Sequence, residues 1–245
     1  MKKSLTILSA ILITFISFKA SAQDDKPQAK SYLSVFGGPS MPTGTFGSTS
    51  YSNNSSGFAK RGVTFGLDAG IYVYKNLAIG LTVGFQDQGQ LTQADVQNLA
   101  NGYNSSFIKD QTSVTAINRY HNLTLMAGPQ YSFLIKNFTI DVRADAGLLR
   151  STNTPSLTVV FDYSANSGQS FYQLSSGAMA FAYGGSAGVR YALSDTWDVG
   201  LKFNYIDCSG IKIGNDGSNT GATGRFQTNL PITVFQPTLG MAIKF

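Results

Sequence analysis

Eight stretches of this chain alternate in polarity with a period of two, and that period restricts them to β-strands whose opposite faces meet different surroundings. They lie near 31–40, 62–74, 77–88, 118–133, 138–150, 177–192, 197–209 and 232–245. The last is the clearest. Phe245, Ile243, Met241, Leu239, Pro237 and Phe235 fall on one side, and Lys244, Ala242, Gly240, Thr238 and Gln236 on the other. Several stretches approach the roughly ten residues with which a tilted strand crosses a bilayer.

The two faces differ in kind. Val63, Phe65, Leu67, Ala69, Ile71 and Val73 oppose Thr64, Gly66, Asp68, Gly70, Tyr72 and Tyr74. Phe138, Ile140, Val142, Ala144, Ala146 and Leu148 oppose Thr139, Asp141, Arg143, Asp145 and Gly147, and Trp197, Val199, Leu201, Phe203 and Tyr205 oppose Asp198, Gly200, Lys202 and Asn204. Every unpaired charge in these spans is expected on the second face, which is then too polar to be a conventional core. The apolar face must therefore meet lipid. A soluble barrel around an apolar ligand would show the reverse. Aromatic residues near both ends of the apolar face fit membrane-interface girdles: Tyr131, Phe133, Phe138, Tyr191, Trp197 and Phe245 at one end, Phe85, Phe181, Tyr183, Tyr205 and Phe235 at the other.

Connections set the topology. "GIYVYKNLAIG", "GPQYSFLIKNFTIDVRADAG" and "GVRYALSDTWDVG" repeat one plan, in which a glycine and an aromatic precede a tight polar turn and a second alternating stretch. The turns are Lys75-Asn76, Ile135-Lys136-Asn137 and Ser194-Asp195-Thr196. Segments 41–61, 89–117, 151–176 and 210–231 are instead long and rich in Ser, Thr, Asn and Gly. Short turns at one end and long loops at the other describe an all-β, eight-stranded, antiparallel up-and-down transmembrane barrel, its termini on the short-turn side.

Charge supports an envelope protein rather than a cytosolic one. Charged residues make up 13% of the chain, about half the usual quarter of a soluble domain. The start, "MKKSLTILSAILITFISFKASAQ", has Lys2 and Lys3, an apolar run, and then Ala20 and Ala22 before Gln23. This is a secretory leader cleaved after Ala22. Residues 1–22 are expected to be removed, 23–30 to form a short periplasmic segment, and 31–245 to form the barrel. Without the three leader lysines, 15 basic side chains face 13 acidic ones, and no basic block suggests nucleic acid. Cys208 is the only cysteine, so neither a lipoprotein anchor nor an intramolecular disulfide is expected.

From about residue 30 to 245 the sequence resembles the small eight-stranded outer-membrane barrels of OmpA/OmpX type. The closing positions Thr238, Gly240, Ile243 and Phe245 match that group's terminal assembly signal. The resemblance implies residence in the outer membrane among lipid and lipopolysaccharide, and recognition by the barrel-assembly machinery. It implies no cofactor.

Inward positions hold Asp68, Asp141, Asp145 and Asp198 with Arg143, Arg190, Lys202 and Lys244. An eight-stranded barrel has room only for its own side chains, so these charges are expected to pair and fill the lumen. A narrow ion pathway is the competing reading. Catalysis has little to work with. His121, the only histidine, faces outward with Leu123 two residues on, and the chain has no Glu to orient it, leaving Asp or a neighbouring-strand Ser as its partner. No second His or Cys cluster offers a metal site. The segment 214–226 lacks the Lys-Ser/Thr of a phosphate loop, and its Asp216 lacks the companions of a calcium site. Cys208 reads as a small packing residue. Val96, Leu99 and Tyr103 suggest a short helix within 93–110, and Tyr51, Phe58 and Phe226 offer adaptable contact. The expected role is structural or interactive, not enzymatic: surface binding, adhesion or secretion support through the loops, with a surface or secretion-system protein as partner. A small channel and a lipid-modifying enzyme are the alternatives.

Overall fold

The computed structural model describes residues 29–106, 111–163, 166–216 and 225–245. The expected leader, with Ala20, Ala22 and Gln23, lies outside the described residues, as does 217–224. The strands are β1 (Tyr32–Pro42), β2 (Lys60–Tyr74), β3 (Leu77–Gly89), β4 (Gln111–Ile117), β5 (His121–Ile135), β6 (Phe138–Asn153), β7 (Ser156–Tyr163), β8 (Asn166–Gln173), β9 (Ala178–Ala192), β10 (Trp197–Asp216) and β11 (Arg225–Lys244). Among the described residues two helices, α1 (Gly44–Gly47) and α2 (Gln93–Ser106), lie between them.

The barrel strands pair in the order β1, β2, β3, β5, β6, β9, β10, β11, and β11 returns to β1. Every pairing is antiparallel. Closure runs through Tyr32↔Lys244 and Phe36↔Gly240. An open sheet would leave a row of backbone N–H and C=O groups unpaired in hydrocarbon, and closing the cylinder removes that edge. The protein is an eight-stranded, antiparallel, up-and-down barrel. Two of its short turns are two residues long and hold Lys75 (φ 44°) and Lys136 (φ 54°) in the left-handed region, each followed by an asparagine. The third is tied by Ser194 Oγ, which accepts from the backbone N–H groups of Thr196 at 3.2 Å and Trp197 at 3.1 Å.

Large apolar side chains cover the outside. Phe65, Leu67, Ile71, Leu125, Val142 and Phe203 are exposed, as are the expected girdle residues Tyr131, Phe138, Tyr191, Trp197 and Phe245. Such a continuous apolar surface requires an apolar solvent. The expectation that charges avoid this face fails at its upper end. Arg150 shares the outward parity of Leu148 and is exposed, and Asp207 shares that of Tyr205. Both lie toward the loop side of their strands, beyond the roughly ten residues with which a tilted strand crosses a bilayer.

The long connections contain more structure than their polar composition suggests. β10 pairs beyond the barrel with β8, β8 with β7, and β7 with β4. These elements form an extracellular sheet continuous with the barrel wall. α2 covers it: Leu99 and Ala100 pack with Phe58, Val114, Val159 and Phe161 in a second apolar core. The helix expected within 93–110 thus spans Gln93–Ser106, and 107–110 lies outside the described residues.

α2 begins with a reciprocal cap. Thr92 donates its backbone N–H (2.8 Å) and its hydroxyl (2.6 Å) to Asp95, whose own N–H is 3.3 Å from Thr92 Oγ1. Lys60 Nζ of β2 stands 2.7 Å from Asp95 Oδ1, tying the helix to the barrel rim. Burial alone would push this carboxyl up, but the hydrogen bonds from Lys60 and Thr92 outweigh it and hold it below the ordinary aspartate value. Its contribution is therefore complete above the ordinary range near pH ~4 and is lost as pH falls through the lowered folded value. Acidification below pH ~4 should loosen α2 before the barrel opens. Hydrogen exchange at 93–106, corrected for intrinsic rates, should rise, and Asp95→Asn should produce the same rise at pH 7.

Candidate functional site

The lumen is the first candidate, because alternation aims its charges at a space too narrow to hydrate them. All eight charged residues expected from the sequence come together there in two neutral groups of four. In the first, Asp68 Oδ1 lies 2.9 Å from Arg143 Nη2 and 2.6 Å from Lys202 Nζ, while Arg143 Nε lies 2.8 Å from Asp145 Oδ1. In the second, Arg190 Nε meets Asp141 Oδ2 at 2.7 Å and Arg190 Nη1 meets Asp198 Oδ2 at 3.1 Å, while Lys244 Nζ reaches Asp198 Oδ1 at 2.6 Å. Each arginine is held between two carboxylates, and each group is completed by one lysine.

Neutral polar side chains join the groups. Tyr32 Oη is 3.1 Å from Asp68 Oδ2 and 3.2 Å from Gln130 Oε1, and its ring lies 3.8 Å beneath the Arg190 guanidinium. Asp141 Oδ1 accepts from Gln130 Nε2 at 3.2 Å and from Ser132 Oγ at 2.5 Å, and Arg190 Nη2 donates to Tyr72 Oη at 3.2 Å. Thr82 completes the set, giving its hydroxyl to Asp68 Oδ1 at 2.6 Å and touching Arg143. Tyr32, Thr82, Gln130 and Ser132 carry no charge to mark them; their inward parity was the available signal. Crowding explains one glycine: a Cβ on Gly80 would stand 2.2 Å from Arg143 Cδ.

Toward the extracellular side the lumen departs from the expected polar character. On one side Gln88 Nε2 of β3 donates to Ser40 Oγ of β1 at 2.7 Å, and Gln236 Nε2 of β11 approaches the same oxygen at 3.3 Å. The rest of this level is apolar: Leu149, Ala182, Ile206, Cys208, Ile232 and Val234 form a buried cluster with Met126. Phe46 of α1 descends into this cluster fully buried, its ring 5.0 Å from Tyr120 and edge-on to it. Tyr120 Oη donates to Gly57 O at 2.8 Å, and a Cβ on Gly57 would lie 2.5 Å from Phe46 O. Burial raises the pKa of the Tyr120 hydroxyl. The inward face is thus ionic near the short turns and partly a conventional apolar core near the loops. The spans 62–74 and 138–150 showed mainly the ionic half.

At the closing strand, Thr238 is buried and donates to Lys202 O at 3.1 Å, Gly240 faces Ser34, Ile243 is outward, and Phe245 donates its N–H to Ser31 O at 2.9 Å. His121 Nε2 lies 3.3 Å from Asp87 Oδ1, which also meets Arg119 Nε at 3.0 Å. Cys208 is buried in the apolar cluster. Among the described residues no group of three or more His, Cys, Asp or Glu side chains could hold a metal ion. The Asp216 side chain, 217–224 and the Phe226 side chain lie outside what the structure describes.

A family model for the outer membrane protein beta-barrel domain matches residues 9–227. The chain belongs to this family. As a member of the outer-membrane barrels it resides in the cell outer membrane, surrounded by lipid and lipopolysaccharide. No curated protein matches the sequence. Among solved structures, Neisserial surface protein A covers 90% of this chain and 100% of its own at 14% identity, with TM-score 0.46. The attachment invasion locus protein Ail of Yersinia pestis covers 89% and 100% at 12% identity, with TM-score 0.43. The outer membrane protease OmpT of Escherichia coli covers 93% and 99% at 8% identity, with TM-score 0.37. Likeness at these levels does not specify an activity.

For this outer-membrane barrel, Arg143→Met should lower unfolding stability in micelles by about 3–5 kcal/mol, because buried carboxylates lose their partner. Arg143→Met with Asp145→Asn restores neutrality around the Asp68 and Lys202 pair and should recover much of the loss in urea titrations.

Proposed function

We propose that this outer-membrane barrel acts through its extracellular elements, as a surface-binding, adhesion or secretion-accessory protein, with its lumen plugged. One observation carries the reading: the lumen is filled by an ion network and an apolar layer, while the material outside the membrane is folded around a core of its own. Flexible loops that only shield a barrel need no such core, whereas a recognition surface that is already ordered loses less entropy when its partner binds. The partner is a surface or secretion-system protein. Residues 1–22 act as a cleaved leader, and Thr238, Gly240, Ile243 and Phe245 serve as the signal read by the barrel-assembly machinery.

A void of about 40 Å³ beside Tyr32, Asp68 and Lys202 favours a second reading, a narrow ion pathway. It can hold no more than a few waters. The layer of Phe46 and Tyr120 opposes passage beyond it. A lipid-modifying enzyme has less support. Asp87 could orient His121, but Leu123 occupies the position where a nucleophile would help, and Asp87 also pairs with Arg119.

Planar-bilayer conductance of residues 23–245 separates the first two readings, after slower gel migration on boiling has established folding. The proposal expects a silent bilayer. Reproducible, ion-selective steps that change with Lys202→Met would overturn it and place the channel first.

A further inference from the structure

Between the extracellular elements lies a cavity of about 590 Å³, within the range of roughly 300–1,000 Å³ typical of small-molecule sites. Its depth is apolar: Phe58, Leu99, Val159, Phe161 and Leu230 are buried in its walls. Aromatic rings run along it, with Tyr51 and Tyr103 at 5.0 Å, Tyr103 and Phe161 at 5.7 Å, and Phe161 and Phe171 at 5.2 Å. The mouth is polar but uncharged, formed by the exposed Ser52, Asn53 and Asn54. No Asp, Glu, Lys or Arg lines the cavity among the described residues. Tyr120 closes the floor, its hydroxyl already committed to Gly57 O at 2.8 Å, and Phe46 backs it on the lumen side. The cavity therefore ends at the plug and does not lead through it.

We propose that this cavity is a binding site for a neutral, predominantly apolar small molecule with one hydroxyl or carbonyl end, of the class of long-chain or polycyclic alcohols. Apolar walls favour an apolar body, and burying an ionised group against them without a counter-charge is costly. The serine and asparagine mouth offers hydrogen-bond donors and acceptors to the polar end. Walls drawn from the 50–58 segment, α2, the β7–β8 hairpin and the tips of β10 and β11 would be held together by such an occupant. The inference rests on the reading that function lies outside the lumen, and it names the ligand class for that surface.

The test is photolabelling of the full barrel in lipid nanodiscs with a long-chain alcohol that carries a diazirine in its chain, followed by mass-spectrometric mapping. Labelling of the lipid-facing belt is expected in any case and is the internal control. The site predicts additional labelling on 51–58, 99–103 and 157–161 that saturates and is displaced by unlabelled alcohol. Leu157→Asp should lower that labelling about tenfold or more while the belt signal stays constant. The carboxylate analogue of the probe, used on the unaltered chain, should label the belt alone, a result that does not depend on how the variant folds. Belt-only labelling by the alcohol would overturn the site, and equal loop labelling by the carboxylate would overturn the neutral class. The conductance measurement is independent: a silent barrel without loop labelling leaves the surface-acting reading standing, whereas current steps would fail that reading whatever the labelling.

Discussion

Arg143 and Arg190 are each held between two carboxylates inside a cylinder too narrow for bulk water, and the interior is organised around that requirement. The strand number fixes the diameter, the diameter excludes bulk water, and a guanidinium cut off from bulk water needs carboxylates beside it. Asp68, Asp145, Asp141 and Asp198 supply them, and the two lysines bring each group to neutrality. Gly80 stays small because the Arg143 side chain lies over it, and Tyr32 links the two groups through a hydrogen bond on one side and a ring face on the other. Buried ion pairs are a weak source of net stability. Their contribution here is register, since sliding β2, β6, β9, β10 or β11 by two residues would separate a charge from at least one partner.

Above that layer the chain uses a different solution to the same narrow space. Inward positions on β6, β9, β10 and β11 become apolar, and α1 lowers Phe46 onto them. The surface outside the membrane is then free of any duty to line a passage. It folds as an extension of the barrel wall, with β8, β7 and β4 added from the tip of β10 and α2 laid across them. This sequence of ionic layer, apolar plug and folded outer sheet connects the membrane anchor to the proposed binding cavity. Tyr120 belongs to both the plug and the cavity floor.

Alternation made much of this legible. The period of two distinguished outward Phe65 and Leu67 from inward Asp68, and it put all eight lumen charges on one face. It could not pair them. Asp68 meets Lys202 across 134 positions, and such partners follow from barrel stagger, which single-strand patterns do not encode. The barrel strands begin and end close to the alternating stretches, apart from β10 and β11, which continue well past 209 and begin before 232. The extracellular sheet was hidden by composition. β7 does alternate, with Leu157, Val159 and Phe161 against Thr158, but β8 reads "NSGQSFYQ" and is ordered by its neighbours on both sides. Phe46 was also invisible, because a single aromatic in a Gly- and Thr-rich segment carries no periodicity.

The central claim is that water and ions do not pass through the lumen, and the chain carries its own reporter of that. Cys208, its only cysteine, is buried in the apolar layer between the ion network and the cavity floor. The measurement is its reaction with small charged methanethiosulfonates, in nanodiscs open to reagent from both sides. A sealed lumen predicts no modification of the folded barrel and complete modification after boiling. Rapid modification of the folded protein would contradict the account, because a charged reagent would then have crossed either the ionic layer or the Phe46 plug.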